Sequence, residues 1–160
     1  METKCYLFEE KINLNEFKEK YFKNLSKYFI DIFSEYIKNL KIFKSKEENK
    51  KNIGIMEFDI SIDERGSNPL MIAHGGAIAT LFEDLSKVCL LYFTNQDYQT
   101  IDISINYKNQ VELGKIYKLV ITCTKLKAKT IFVEAELKKE NEIGASASAS
   151  MIKVLLKPLF

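Results

Sequence analysis

The residues with the most evident chemical potential are His74, Gly75 and Gly76, which open a long apolar run, and Glu83, the first carboxylate within it. If that run is a helix, its first amides have no partner within the helix, and the glycines leave them uncovered. The helix dipole adds partial positive charge at the same place. Donors of this kind suit an oxygen that gains negative charge, as when a thioester or ester carbonyl is attacked. Glu83 lies about two turns further along. A carboxylate in such apolar surroundings needs a partner or a task, because burying it unpaired is costly.

Other readings of these residues stand beside that one. Glu83 and Lys87 are four apart, the spacing of a structural ion pair on one helix face. Asp84 is the rival acid, but one helical step turns it about 100° from Glu83. His74, the chain's one histidine, reads as a helix-start residue that positions its neighbours rather than as a proton carrier. No Gly-x-Ser-x-Gly elbow, phosphate-binding loop or metal-ligand spacing is present.

The elements that must hold these groups follow from periodicity. Residues 77–93 are apolar except at Thr80, Glu83, Asp84, Ser86 and Lys87, which predicts a helix buried on most of its circumference. Residues 13–40 predict an earlier helix. There Leu14, Phe17, Tyr21, Leu25, Phe29, Ile32, Tyr36 and Leu40 draw an aromatic-rich stripe, and Asn13 with Glu16 gives a capping signal. The stripe is expected to pack on the domain or on a second subunit rather than on a membrane surface. A short strand at Ile42 and Phe43 and an alternating one at 53–60 form a hairpin, and 61–73, with Gly66 and Asn68-Pro69, is a loop. Four strands follow, at 100–107, 116–126, 130–139 and 145–154. One helix between a hairpin and a run of antiparallel strands predicts an α+β domain with the helix wrapped in the sheet. Its open edge invites a second subunit.

Composition narrows the function classes. The chain has 160 residues, 46% hydrophobic and 29% charged, which suits one globular domain. A net charge of +2 gives no reason to expect nucleic acid. All but one of the 24 basic residues are lysine, so a lysine cluster such as Lys125, Lys127 and Lys129 is equally well read as a solvated turn. Cys5, Cys89 and Cys123 are scattered, against a disulfide framework or a zinc site and in keeping with a reducing compartment. The start, with Glu2, Glu9 and Glu10, is unlike a secretory or transit segment, and no apolar run is long enough to span a bilayer. These features predict an intracellular, cytoplasmic protein, with a mitochondrial location also compatible.

The segment from Asn68 through His74-Gly75-Gly76 to Glu83, together with the strand from Thr100 to Tyr107 and the turn Leu113-Gly114, resembles the PaaI-like branch of the hotdog-fold acyl-CoA thioesterases. The likeness covers residues 41–154. It implies a hotdog domain over 41–160, preceded by a helical extension over 1–40. It further implies hydrolysis of acyl-CoA to free acid and CoA, within fatty acid metabolism, by a homodimer that pairs into a homotetramer. Coenzyme A would enter as part of the substrate, with no metal and no other cofactor. The Gly75 amide, helped by Gly76, would polarise the carbonyl. Glu83 would act across the dimer interface as base or nucleophile. Asn68 and His74 would shape the carbonyl pocket, and Thr100 would position the water. The coenzyme would lie along Lys127, Lys129 and Thr130 and near Tyr107, Lys108 and Asn109. Members of the branch carry Asp at the place of Glu83, so the carboxylate here sits on a longer side chain. The alternative is a hotdog module that binds acyl-CoA or lipid without turnover. Hydratase chemistry on the same fold ranks last, since it would want a histidine paired with an acid on the helix.

Overall fold

Alternation of buried with half-exposed or exposed residues marks the strands at Asn52–Ile60, Tyr117–Lys127, Thr130–Lys139 and Glu142–Lys153, and a helix with few polar positions crosses the face that those strands bury. The computed structural model describes residues 7–22, 34–45 and 52–154. In chain order they form β1 (Leu7–Glu10), α1 (Leu14–Phe22), β2 (Ile37–Ser45), β3 (Asn52–Ile60), α2 (Gly75–Thr94), β4 (Tyr98–Tyr107), β5 (Tyr117–Lys127), β6 (Thr130–Lys139) and β7 (Glu142–Lys153). One seven-stranded sheet runs in the order β1-β2-β3-β5-β6-β7-β4, antiparallel throughout. Met56, Phe58 and Ile60 of β3, Leu119, Ile121 and Cys123 of β5, and Val133 and Leu137 of β6 turn inward. They meet Leu81, Phe82, Leu85, Val88 and Cys89 of α2 in one core. On β7 the inward residues include Ala145, Ala147 and Ala149, while the serines between them face out. This is the hotdog arrangement, a sheet curled around a central helix.

The helix boundaries have local causes. His74 caps α2 in extended conformation, and Asn95 ends it in the left-handed region at φ 52, donating its amide to Leu91 O. The ring of Phe93 lies so close to Gly54 that a Cβ there would meet it at 2.5 Å, which accounts for a glycine inside β3.

The expected helix over 13–40 is corrected in part. Asn13 Oδ1 does cap α1, accepting from the amides of Asn15 and Glu16. Residues 34–36 are helical, but Ile37 begins β2, so Ile37 to Leu40 belong to the sheet. Leu40 still faces the core, because the alternation of a strand serves burial there as well as a helical period would. Leu25, Phe29 and Ile32 of the stripe lie outside the described residues. Phe17 is 1% exposed and packs on Tyr92 of α2 with ring centroids 5.7 Å apart, and Tyr21 meets the same ring at 5.2 Å. Tyr92 Oη donates to Glu10 Oε2, which also pairs with Lys44 of β2 at 2.8 Å. Together β1, which sequence patterning does not reveal, and α1 cover the C-terminal end of α2.

Candidate active site

At the start of α2 the amides are distributed unequally. His74 Nδ1 accepts the Gly76 N–H at 2.9 Å, so the ring carries its proton on Nε2 and serves as the helix cap. Gly76, expected as a second donor to the carbonyl, is thereby occupied. The Gly75 N–H has no partner among the described residues and points from a half-exposed position at the positive end of the helix. Tyr107, at the end of β4, donates from Oη to Gly75 O at 2.7 Å, and its ring lies where a Cβ on Gly75 would meet it at 3.2 Å. Glycine is what allows that approach. Asn68 shapes the preceding loop: its Oδ1 accepts from Leu70 N at 2.9 Å and Ile72 N at 3.4 Å.

The carboxylate is built from two elements. Glu83 Oε1 accepts from Lys87 Nζ at 2.7 Å and from Thr100 Oγ1 of β4 at 2.9 Å. The Lys87 ammonium, with help from the Thr100 hydroxyl, holds the Glu83 carboxyl below its ordinary range against the opposing effect of burial. Asp84 makes no hydrogen bond among the described residues, and burial pushes its carboxyl above the usual range. The Thr100 contact thus falls on Glu83 and not on its rival.

Thr100 faces the helix because of an irregularity in β4. Counting back from Tyr107 in twos gives Ile105, Ile103 and Ile101 on one face, which would leave Thr100 on the other with Asp102. The pairing with β7 slips between Thr100 and Asp102: Thr100 sits opposite buried Met151, Asp102 opposite Ser150, and Ile101 between them is 60% exposed. That extra residue is a bulge, and it re-aims Thr100 onto Glu83. Sequence alternation gives no sign of it, nor of the Tyr107 contact with Gly75.

One chain does not bring all the anticipated groups together. Glu83 follows Gly75 by eight residues, about 12 Å along the helix axis. Thr130 shares its register with Ile152 and Gln99, whereas Tyr107 shares its own with Ala145 and Leu137. Lys127, Lys129 and Thr130 therefore lie about 23 Å along the strands from Tyr107, Lys108 and Asn109, at opposite ends of the sheet. Lys127, the last residue of β5, and Lys129 in the turn that follows are exposed. Lys108 and Asn109 line a surface depression with Lys139 and residues 140–143, and Asn109 Nδ2 donates to Ile143 O. Among the described residues no group of three or more His, Cys, Asp or Glu could hold a metal ion, and no helix is long and apolar enough to cross a membrane.

Fold and site together define a hotdog-fold protein with a helix-start amide and a helix-borne carboxylate. Residues 71–145 match the family model described as the thioesterase superfamily, so the sequence resemblance to hotdog-fold thioesterases is borne out. The chain is similar to zebrafish thioesterase superfamily member 2, with 19% identity and a TM-score of 0.65 over 91% of this chain and 100% of that one. A thioesterase from Haemophilus influenzae gives 15% identity and a TM-score of 0.66 over 94% and 97%. A hypothetical thioesterase from Streptococcus pneumoniae, solved with coenzyme A, gives 20% and 0.60 over 73% and 90%. Likeness at these identities establishes the shared fold. No curated protein matches the sequence.

Proposed function

We propose that the chain hydrolyses acyl-CoA thioesters to free acid and CoA, in the manner of the PaaI-like branch, as an assembly of two or more copies. The observation that carries this reading is the Glu83 carboxylate, fixed by groups from α2 and β4 with its Oε2 unbonded among the described residues. The Gly75 amide would polarise the carbonyl, and Glu83 would deprotonate the attacking water or attack the carbonyl itself. Thr100 steadies Glu83, while His74 and Asn68 hold the backbone from which the Gly75 amide points.

The separation of Gly75 from Glu83 is what calls for a second copy. β4 is a sheet edge that runs from the Glu83 end of the site to the Gly75 end. Antiparallel pairing of that edge with its own copy about a twofold axis would set Tyr107 of one chain against Thr100 of the other. The Gly75 amide of one subunit then approaches the carboxylate of the other. The same operation would bring Lys127, Lys129 and Thr130 of one chain to the same end of the joined sheet as Lys108 and Asn109 of its mate, offering coenzyme phosphates basic groups from both chains. The thioesterase-superfamily match and the coenzyme A found with the pneumococcal protein both support this substrate class.

The test is release of free CoA from acetyl-, hexanoyl-, palmitoyl- and phenylacetyl-CoA. Glu83→Gln should retain acyl-CoA binding while turnover falls by ~10²–10⁴, the scale of lost general-base help. Binding without CoA release by the wild-type chain would instead favour a non-catalytic acyl-CoA module.

A further inference from the structure

We infer that Lys87 is a positioning residue for Glu83, forming with Thr100 a two-sided clamp on Oε1 that reserves Oε2 for the reacting atoms. The inference rests on the proposed hydrolysis, though the clamp itself can be tested without it. The geometry differs from an ordinary ion pair on a helix face. A solvated pair four residues apart leaves both side chains free to rotate. Here a third group, the Thr100 hydroxyl, reaches the same carboxylate oxygen from another element, at 2.9 Å against 2.7 Å for Lys87 Nζ. The side chains of Lys87 and Glu83 are 27% and 38% exposed, so both lie partly within the protein rather than fully in solvent.

Two donors on one oxygen fix the plane and direction of a carboxylate, and they leave the lone pairs of the other oxygen for water or the acyl carbon. Lys87 is the cation that acts on Glu83. β4, packed against it, contributes the neutral Thr100, while Asp102 of that strand is turned to the outer face. The neighbouring carboxylate, Asp84, feels the same lysine without bonding to it. The ammonium therefore keeps Glu83 ionised at lower pH than an isolated glutamate would be, and the acid limb of any Glu83-dependent activity is displaced downward with it.

Two measurements on the full chain test this. In the first, protein carrying glutamate labelled with ¹³C at the carboxyl is titrated, with the Glu83 resonance identified by its loss in Glu83→Gln. Lys87→Met should raise the Glu83 midpoint, and Lys87→Arg should restore most of the shift. In the second, the pH profile of hexanoyl-CoA or phenylacetyl-CoA hydrolysis should move its acid limb upward in Lys87→Met. There kcat above that limb should fall several-fold with KM little changed, and Lys87→Arg should again rescue. An unchanged Glu83 midpoint in Lys87→Met overturns the clamp, whatever the activity. A shifted midpoint with full turnover in Glu83→Gln would uphold the clamp and remove Glu83 from the reaction.

Discussion

Glu83 and Asp84 show how neighbouring carboxylates on one helix acquire opposite electrostatic character. Glu83 has gained donors, so its contribution to folding is present above the ordinary glutamate range and is lost as pH falls through its lowered value. Asp84 has lost water without gaining a hydrogen bond among the described residues. Its raised value means that its contribution is present at low pH and lost as pH rises through that value. Asp84→Asn should therefore leave the melting temperature near neutral pH equal to or above that of the wild type, with the difference shrinking under acid. CoA release should stay within a few-fold. Loss of activity in Asp84→Asn, with activity kept in Glu83→Gln, would exchange the roles assigned to the two acids.

Individual elements decide where such residues point. The bulge at Ile101 gives β4 one residue more than its β7 partner, and the strand's inward face changes parity there. Deleting Ile101 should restore regular alternation and keep Thr100 facing in, because Thr100 and Asp102 already sit opposite successive β7 residues, Met151 and Ser150. The contact itself is tested by Thr100→Val, which keeps the strand and removes the hydroxyl. The expected result is a folded chain, by circular dichroism, whose CoA release falls at least several-fold because Glu83 has lost its hydrogen bond from β4. Full activity in Thr100→Val would show that the Thr100 contact is incidental. At the far end of α2, Phe17 and Tyr21 of α1 stack on Tyr92 while Glu10 of β1 takes the Tyr92 hydroxyl. The N-terminal elements thus anchor the end of the helix opposite Gly75 through aromatic burial and a charged hydrogen bond.

At the scale of the whole molecule, the helix-start amide and the carboxylate are too far apart in one chain to act on one carbonyl. Mixing chains carrying Gly75→Ala with chains carrying Glu83→Gln gives a direct check. Each variant alone should be nearly inactive in CoA release. After unfolding and refolding together, random pairing should recover about a quarter of wild-type activity, because half of the dimers are mixed and each of those has one intact site. No recovery in mixtures shown by native mass spectrometry to contain heterodimers would place both groups in a single subunit.

Much of this protein is decided locally. His74 and the two glycines mark a helix start because an imidazole can cap an amide and glycine leaves neighbouring amides open. The apolar run after them must be buried wherever it lies, and strict alternation fixes β3, β5, β6 and β7 to within a few residues. The pair Glu83 and Lys87 is likewise set by helical spacing alone. Only the tertiary structure decides the rest, because it depends on contacts between residues far apart in sequence. Leu40 suits a buried helix face or a buried strand face equally, and pairing with β3 makes it strand. The extra residue at Ile101 is visible only against its partner strand, and with it the approach of Thr100 to Glu83. The placement of Tyr107 over Gly75 and the separation of Lys127, Lys129 and Thr130 from Lys108 and Asn109 follow from the order of strands in the sheet, which no local pattern specifies.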